Sequence, residues 1–592
     1  MPKPQNFYQE NLKKFQAELA VKKKQLAVSS TVRLLVFLAL CVLIYFLWGN
    51  WQFVAISVVV GIAAFIFLVS RHSDLRYKAD FLKQLLALNE VELQVLDRKF
   101  KHLPNGEKYN DPQHPYSLDI DLFGHGSFFQ YLNRTALADG TDYLAALLTE
   151  NSIENIEPKQ QAIGDLGERA KWRQDFLATA ALVKTDYSGA QILDWLRKYQ
   201  TIIPKVMRWV PLAFSIVSVV LLAASFFEII SGKLVLAWFF IGLGVVGAWV
   251  KKVNMLSQNA GNAQSTFQQY YKLLLLLENE DFSAEFLEAQ INKIKPETGD
   301  KASGTFAQFS KRLNALDQRN NMIVAVFMNG FFLADLRNAY RIEQWISQHA
   351  NEVGQWFAVI AFFDAYISLG NFRFNHPAYT FPKLVDEDLV FEAKQAAHPL
   401  LDPTKAVAND FIINSEEFFI ITGANMAGKS TFLRTVGLQL VMANVGLPIN
   451  ATEVKYAPIK LITSMRTTDS LTDEASYFFS ELSRLQYIVN AIKTDRYLIV
   501  LDEILKGTNS TDKAIGSRKF IEKLVRSHST GIIATHDLSL CEAANELDAV
   551  KNYYFDAEII NDELYFDYTF KKGICQNMNA SFLLRKMNII DN

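Results

Sequence analysis

From Leu34 to Ser70 the chain carries no Asp, Glu, Lys or Arg, and only Gly49-Asn50 with Gln52 interrupts the apolar run near its middle. About 20 apolar residues cross a bilayer core, and somewhat fewer suffice with local thinning, so this pattern predicts a transmembrane hairpin. A second pair of apolar runs, Trp209 to Phe227 and Leu234 to Val250, is separated by a short turn containing Ser231-Gly232. One such run alone would fit a buried core helix, but two closely spaced pairs with polar turns predict four spans. A cleaved signal peptide fits the first run poorly, because a long Lys-rich stretch precedes it and a second span comes at once after it. Towards the C-terminus the pattern changes. Phe418 to Thr422, Tyr497 to Leu501 and Gly531 to Ala534 read as short buried strands, and Phe432 to Met442 reads as a helix, which together predict an α/β domain. A charged helix near residues 74 to 102 is joined to the chain beyond it by a linker running from Pro104-Asn105-Gly106 to Pro115.

The basic residues orient this picture. Lys13, Lys14, Lys22, Lys23, Lys24 and Arg33 precede the first hairpin and Arg71, Arg76 and Lys78 come after it; Lys205 and Arg208 precede the second, and Lys251 and Lys252 come after it. The turns hold almost nothing basic beyond Lys233. Positive flanks stay on the cytoplasmic side, which predicts a multi-pass protein of the inner (cytoplasmic) membrane with both termini and the α/β domain facing the cytoplasm. Lys and Arg total 60 against 62 Asp and Glu, so no sequence-wide field draws the chain to nucleic acid. Cys41, Cys541 and Cys575 lie far apart, without the spacing of a disulfide framework or a zinc site.

Gly423-Ala424-Asn425-Met426-Ala427-Gly428-Lys429-Ser430-Thr431 fits the phosphate-binding pattern GxxxxGK[ST] between a strand and a helix. Gly423 and Gly428 let the backbone curl so that amides face phosphate oxygens, Lys429 reaches the β- and γ-phosphates, and Ser430 ligates Mg²⁺. The strand ending in Asp502-Glu503 supplies a carboxylate for Mg²⁺ (Asp502) and one to polarise the attacking water (Glu503). His536 lies just past the third strand, where it could sense the γ-phosphate.

These residues, with Leu501-Asp502-Glu503-Ile504-Leu505-Lys506-Gly507-Thr508-Asn509-Ser510-Thr511-Asp512 and Ala534-Thr535-His536, resemble the ATPase domain of the MutS family of DNA mismatch repair proteins. Asn425-Met426 inside the loop is a narrow signature. Asp469-Ser470-Leu471 and Glu474-Ala475-Ser476-Tyr477-Phe478-Phe479-Ser480-Glu481 are similar to the segment in which a serine faces the γ-phosphate of the partner subunit. The resemblance therefore implies Ser476 as a catalytic residue acting in trans, a homodimer with composite sites, and ATP with Mg²⁺ as cofactors. Upstream, Asp121-Leu122-Phe123-Gly124, Leu132-Asn133-Arg134-Thr135, Gly140 and Gln160-Gln161-Ala162-Ile163 look like the family's helical core, or lever. Gly354 to Leu369 with Asp364, Phe381-Pro382 and His398-Pro399 resemble the lead into the ATPase, and Gly573-Ile574-Cys575-Gln576 with Ala580 matches its closing pattern loosely. The departures are as specific. No mismatch-reading domain fits before residue 114, and Phe286-Leu287-Glu288 reads as a helix face. Ala406-Val407 stands where the family places the aromatic that stacks on adenine, Lys506 where it usually carries Arg, and Asp537 where an aromatic is common.

The expected architecture is thus a P-loop α/β ATPase domain of ABC/MutS type, preceded by an all-α lever interrupted by transmembrane helical hairpins. Its expected parts are an N-terminal basic helix (1–30), hairpin 1 (31–70), a helical connector with the first part of the lever (71–205), hairpin 2 (206–250), the second part of the lever (251–385) and the ATPase (386–592). The expected function is a membrane-anchored, ATP-hydrolysing dimeric switch acting on DNA, with the bilayer as a second partner. An ABC-like transporter and a membrane scaffold or signalling ATPase are the competing readings. The Gly-rich signature of true transporters is absent, and the hairpins offer few polar residues to line a path.

Overall fold

The computed structural model describes residues 3–182, 189–295, 301–386, 388–466, 477–506, 508–560 and 563–576. The chain opens with two very long helices, α1 (Pro4–Phe46) and α2 (Trp51–Leu96), packed as an antiparallel pair about the turn at residues 47–50. Each is apolar and exposed at the turn end and joins the protein core at the other, where Tyr8, Leu19, Leu82 and Leu85 are buried. The apolar hairpin is therefore the outer part of two continuous rods. The charged helix expected near residues 74–102 is not separate but the inner half of α2.

A helical body comes next, built from α3 (Phe128–Leu132), α4 (Ala138–Thr149), α5 (Ile156–Glu168), α6 (Ala170–Ala180) and α7 (Gly189–Lys198). The second apolar pair forms α8 (Val210–Phe226) and α9 (Gly232–Gly247). These are 17 and 16 residues long, at and just below the shortest spanning length. Beyond Gly247 the chain bends by 65° into α10 (Val250–Glu278), so the base of the pair is a kink rather than a straight continuation. After α11 (Glu285–Ile291) and α12 (Ala302–Asp317) comes an apolar helix that hydropathy alone does not single out, α13 (Met322–Phe332). It packs on α8 and α9.

Helix α14 (Ala334–Asn375) is 42 residues long. Among the described residues α1, α2 and α14 could each cross a membrane by length and composition, with a fourth such element only if α9 and the start of α10 act as one bent span. Yet 83% of the apolar window of α14 is buried inside the protein, against none for α1 and α2. Its hydrophobicity serves the core: Val359 to Leu369 is buried on every face, and the helix as a whole packs against α4, α5, α6, α7, α10 and α12. Phe286 and Leu287, on α11, pack inward; Phe286 stacks near Phe362 and Tyr366, which makes that motif a helix face.

Helix α14 delivers the chain to the α/β domain. A mixed four-stranded sheet holds β1 (Lys383–Leu384), β2 (Leu389–Ala396) and β3 (Asn409–Asn414), with β5 (Glu453–Tyr456) inserted between β1 and β2. The central sheet has the order β12-β9-β4-β8-β7-β6, comprising β4 (Phe418–Gly423), β6 (Lys460–Ser464), β7 (Tyr497–Asp502), β8 (Thr530–Ala534), β9 (Val550–Phe555) and β12 (Lys571–Lys572). All but β12 run parallel. Helices α15 (Lys429–Val445), α16 (Tyr477–Ala491) and α17 (Ser510–Arg526) cover the sheet, and β10 (Glu558–Ile560) with β11 (Glu563–Tyr565) forms a separate hairpin. Strand β4 is buried throughout, as a central parallel strand must be.

Candidate nucleotide site

The carboxyl ends of β4, β7 and β8 are neighbours in the sheet, which brings together three motifs spread over more than 100 residues of sequence. The loop after β4 turns at Gly423 (φ 147°) and Gly428 (φ 109°). Neither position takes a side chain easily: a Cβ on Gly423 would lie 2.4 Å from the Phe555 carbonyl oxygen. The helix then begins at Lys429, so its unsatisfied N–H groups and positive dipole end face the loop. Met426, Glu503 and Leu505 hold positive φ without being glycine, so part of the site's backbone is held in a sparsely populated conformation.

Lys429 is almost wholly buried, and its Nζ donates to the carbonyl oxygens of Gly423 (2.7 Å) and Ala424 (2.9 Å). Burial lowers its pKa, while Asp502 and Glu503 oppose that shift. Ser430 Oγ donates to Asp502 Oδ2 at 2.6 Å. His536 Nε2 lies 3.3 Å from Lys429 Nζ and 3.2 Å from Glu503 Oε1. Burial, then the Lys429 charge, holds the imidazole below its ordinary pKa, so it is neutral at physiological pH. Glu503 and His536, the residues expected to act on the attacking water and the γ-phosphate, thus sit together beside Lys429 of the loop. A hydroxyl and a carboxylate in contact form the hard-oxygen donor set that Mg²⁺ takes alongside water and phosphate, so Ser430 and Asp502 fit the metal expected of them. Among the described residues no cluster of three or more His, Cys, Asp or Glu suits a protein-only metal site.

A cavity of about 730 Å³ opens over the loop, large enough for a nucleoside triphosphate. Its far wall carries His398, Val407, Asn409, Phe411 and Tyr568. Val407 lines the space as expected, without an aromatic ring there. Tyr568 supplies one elsewhere in the lining. Sequence reasoning misses it, because only the crossing of the segment after β11 over β3, where Asn409 bonds the Tyr568 carbonyl and the Phe570 amide, brings it to the site. Glu481 on α16 is likewise missed as a positioning residue. It accepts the backbone amides of Leu505 and Lys506 and so fixes the turn after Glu503. Ser476, Gly507 and Ala580 lie outside the described residues.

The site is tied to the helical body through Asp119 and Asp121. Asp119 accepts from Thr463 Oγ1 and from the amides of Met465 and Arg466 at the end of β6. Asp121 pairs with Arg466 (2.8 Å) and with Arg434 on α15 (3.3 Å). Within that body Asp364, fully buried on α14, accepts the amides of Ala136 and Leu137 at the start of α4.

Residues 419–586 match the family model described as MutS domain V. The chain is 30% identical over 213 residues to MutS protein homolog 4 of Homo sapiens, covering 34% of this chain and 22% of that protein. It is 29% identical over 304 residues to DNA mismatch repair protein MSH3 of Candida albicans (47% and 28%) and 33% identical over 194 residues to DNA mismatch repair protein MutS of Aquifex pyrophilus (31% and 22%). The matched stretch spans roughly a quarter of the length of these relatives.

Proposed function

We propose, from the premise that the nucleotide domain of this chain belongs to the MutS family of ATPases, that the protein is an ATP-hydrolysing switch anchored in a membrane by its own lever. The observation that carries the reading is the meeting of Lys429, Ser430, Asp502, Glu503 and His536 at three strand ends. Gly423 to Thr431 bind and orient the triphosphate, and Lys429 exchanges its bonds to the Gly423 and Ala424 carbonyls for phosphate oxygens. Mg²⁺, held by Ser430 and Asp502, would supply charge neutralisation on the phosphates. Glu503 takes the proton of the attacking water, and neutral His536 donates to the γ-phosphate. Ser476 of a second copy completes the site, so hydrolysis belongs to a homodimer.

Closure of that dimer would reach the helical body through the Asp119 and Asp121 contacts to Arg466 and Arg434, and α14 carries it to the apolar helices. The exposed apolar faces of α1 and α2, the charge-free run they share and its basic flanks support membrane anchoring with a cytoplasmic ATPase. By kinship with mismatch repair proteins the substrate is DNA. The near-neutral charge balance favours a second reading, an ATPase that moves a membrane partner without binding DNA. One experiment separates them. In the full-length protein in phospholipid nanodiscs, Glu503→Gln should lower ATP turnover about 100-fold or more while retaining ATP. The wild-type rate should rise on adding duplex DNA, in a salt-dependent manner. Normal turnover in the variant removes the hydrolytic assignment; a rate indifferent to every DNA structure removes DNA and leaves the second reading.

A further inference from the structure

We propose that α13 is a re-entrant membrane element, a helix that dips partway into the acyl-chain region beside α8 and α9 and returns to the side it came from. The inference rests on the membrane reading above and adds an element to it. Between Arg319 and Asp335 the chain has no charged residue. Eleven residues make a helix about 16 Å long, roughly half of a hydrocarbon core, so α13 can enter a bilayer but not cross it. The flanking charges show that it does not travel away: Arg319 Nε meets Asp335 Oδ2 at 3.1 Å, and both side chains are largely buried. The segment therefore leaves and rejoins the helical body at one level.

Its two faces have opposite characters. One face is seated on α9 with the backbones nearly touching. A Cβ on Gly242 would lie 2.2 Å from the Gly330 carbonyl oxygen, and one on Gly330 would strike the Phe239 ring. Phe239 and Phe331 pack ring to ring at 5.1 Å. Close approach through small residues is how helices associate where no hydrophobic effect drives them together. The other face and the tip are bare: Met322 is 77% exposed and Ile323 83%, with Val326 and Phe327 beside them. Asn321 caps the first turn by accepting the Val324 amide, which satisfies one of the donors that burial in lipid would otherwise strand.

Acyl chains are the occupant that fits. Exposed apolar side chains do not form one flat patch but surround α8, α9 and α13 together and continue onto α1 and α2 through the ring contact between Trp51 and Phe226. A protein partner covers one face, whereas a fluid covers all of them. Cation–π pairs, Arg208 over Trp209 and Lys252 over Trp249, stand at the base of the α8–α9 pair, where an interface would place them.

The test places a cysteine-linked, environment-sensitive fluorophore at Ile323→Cys in full-length protein carrying Cys41→Ser, Cys541→Ala and Cys575→Ala, reconstituted in phosphatidylcholine/phosphatidylglycerol vesicles. Leu38→Cys, on α1, reports on the first hairpin and Lys383→Cys on water. The Ile323 probe should be quenched by lipids brominated near the glycerol end of their acyl chains. Iodide should quench it about fivefold less than the Lys383 probe, as expected below the headgroups. Iodide quenching equal to that at Lys383, with the Leu38 probe still quenched by brominated lipid, overturns the proposal and spares membrane anchoring. Loss of lipid quenching at Leu38 as well brings down the anchoring itself. Protection from both quenchers, with oxidative crosslinking of unlabelled Ile323→Cys between copies, assigns the face to a second copy and overturns the proposal.

Discussion

At the scale of single residues, the nucleotide site is legible because its loop is contiguous in sequence and its carboxylates end an apolar strand. Lys429, Ser430, Asp502, Glu503 and His536 converge as their spacing implies. Tyr568 is not legible, since it reaches the site only through tertiary packing that leaves no local pattern; Glu481 closes a segment similar to the family's signature, but its bonds to the Leu505 and Lys506 amides are not legible there. Two other histidines, His376 and His398, respond to acid. Both are half-buried, and desolvation with nearby arginines (Arg98 and Arg134 for His376, Arg434 for His398) pushes them down to about 4. The unfolded chain protonates them near pH 6.5, the fold only near 4. Their contribution is therefore complete above about pH 6.5 and is lost as pH falls towards 4, at about 1.4 kcal/mol per pH unit for each group. His398 Nδ1 accepts the Leu400 amide, a role an asparagine oxygen can take. His398→Asn should recover about 2 kcal/mol of the stability that the wild type loses between pH 6.5 and pH 5, read as a smaller drop in Tm across that interval. An identical drop in both proteins would remove His398 from the acid response.

At the scale of elements, hydropathy locates the two apolar pairs but cannot tell exposed apolar helices from buried ones. Helix α14 is apolar enough to span and is instead the spine of the helical body, whereas α13 is too short to register against a 20-residue expectation and yet is bare on one face and at its tip. The difference lies in what surrounds each helix, which a window along the chain does not sample. The start of α4 shows how closely these elements are fitted. Gly140 faces the buried carboxylate of Asp364, and a Cβ there would lie 2.1 Å from Asp364 Oδ2. That carboxylate is fixed by the Ala136 and Leu137 amides and cannot step aside without stranding them. Gly140→Ala should therefore cost about 1–3 kcal/mol, measured as a fall in Tm, while Gly164→Ala, where a Cβ meets nothing within 4 Å, should cost little. Equal Tm values for the two variants would refute the fit.

At the scale of the whole molecule, two-ended construction is the main result: a nucleotide domain at one end, an exposed apolar helical group at the other, and α14 between them. The proposed dimer is tested on this scale. Single cysteines at Ala424 and Ser476, in a background lacking the native thiols, should form an intersubunit disulfide in the presence of ATP and Mg²⁺ and not without them. A product independent of nucleotide would count against a switch. The turns of the two apolar pairs carry one further consequence. They comprise residues 47–50 and 227–231, nine positions in all. In the proposed orientation this is everything the apolar pairs offer to the far compartment, too little for any receptor-like surface. Whatever the engine's stroke accomplishes beyond the bilayer must then be handed on sideways, through lipid or through a neighbour whose own helices lie alongside.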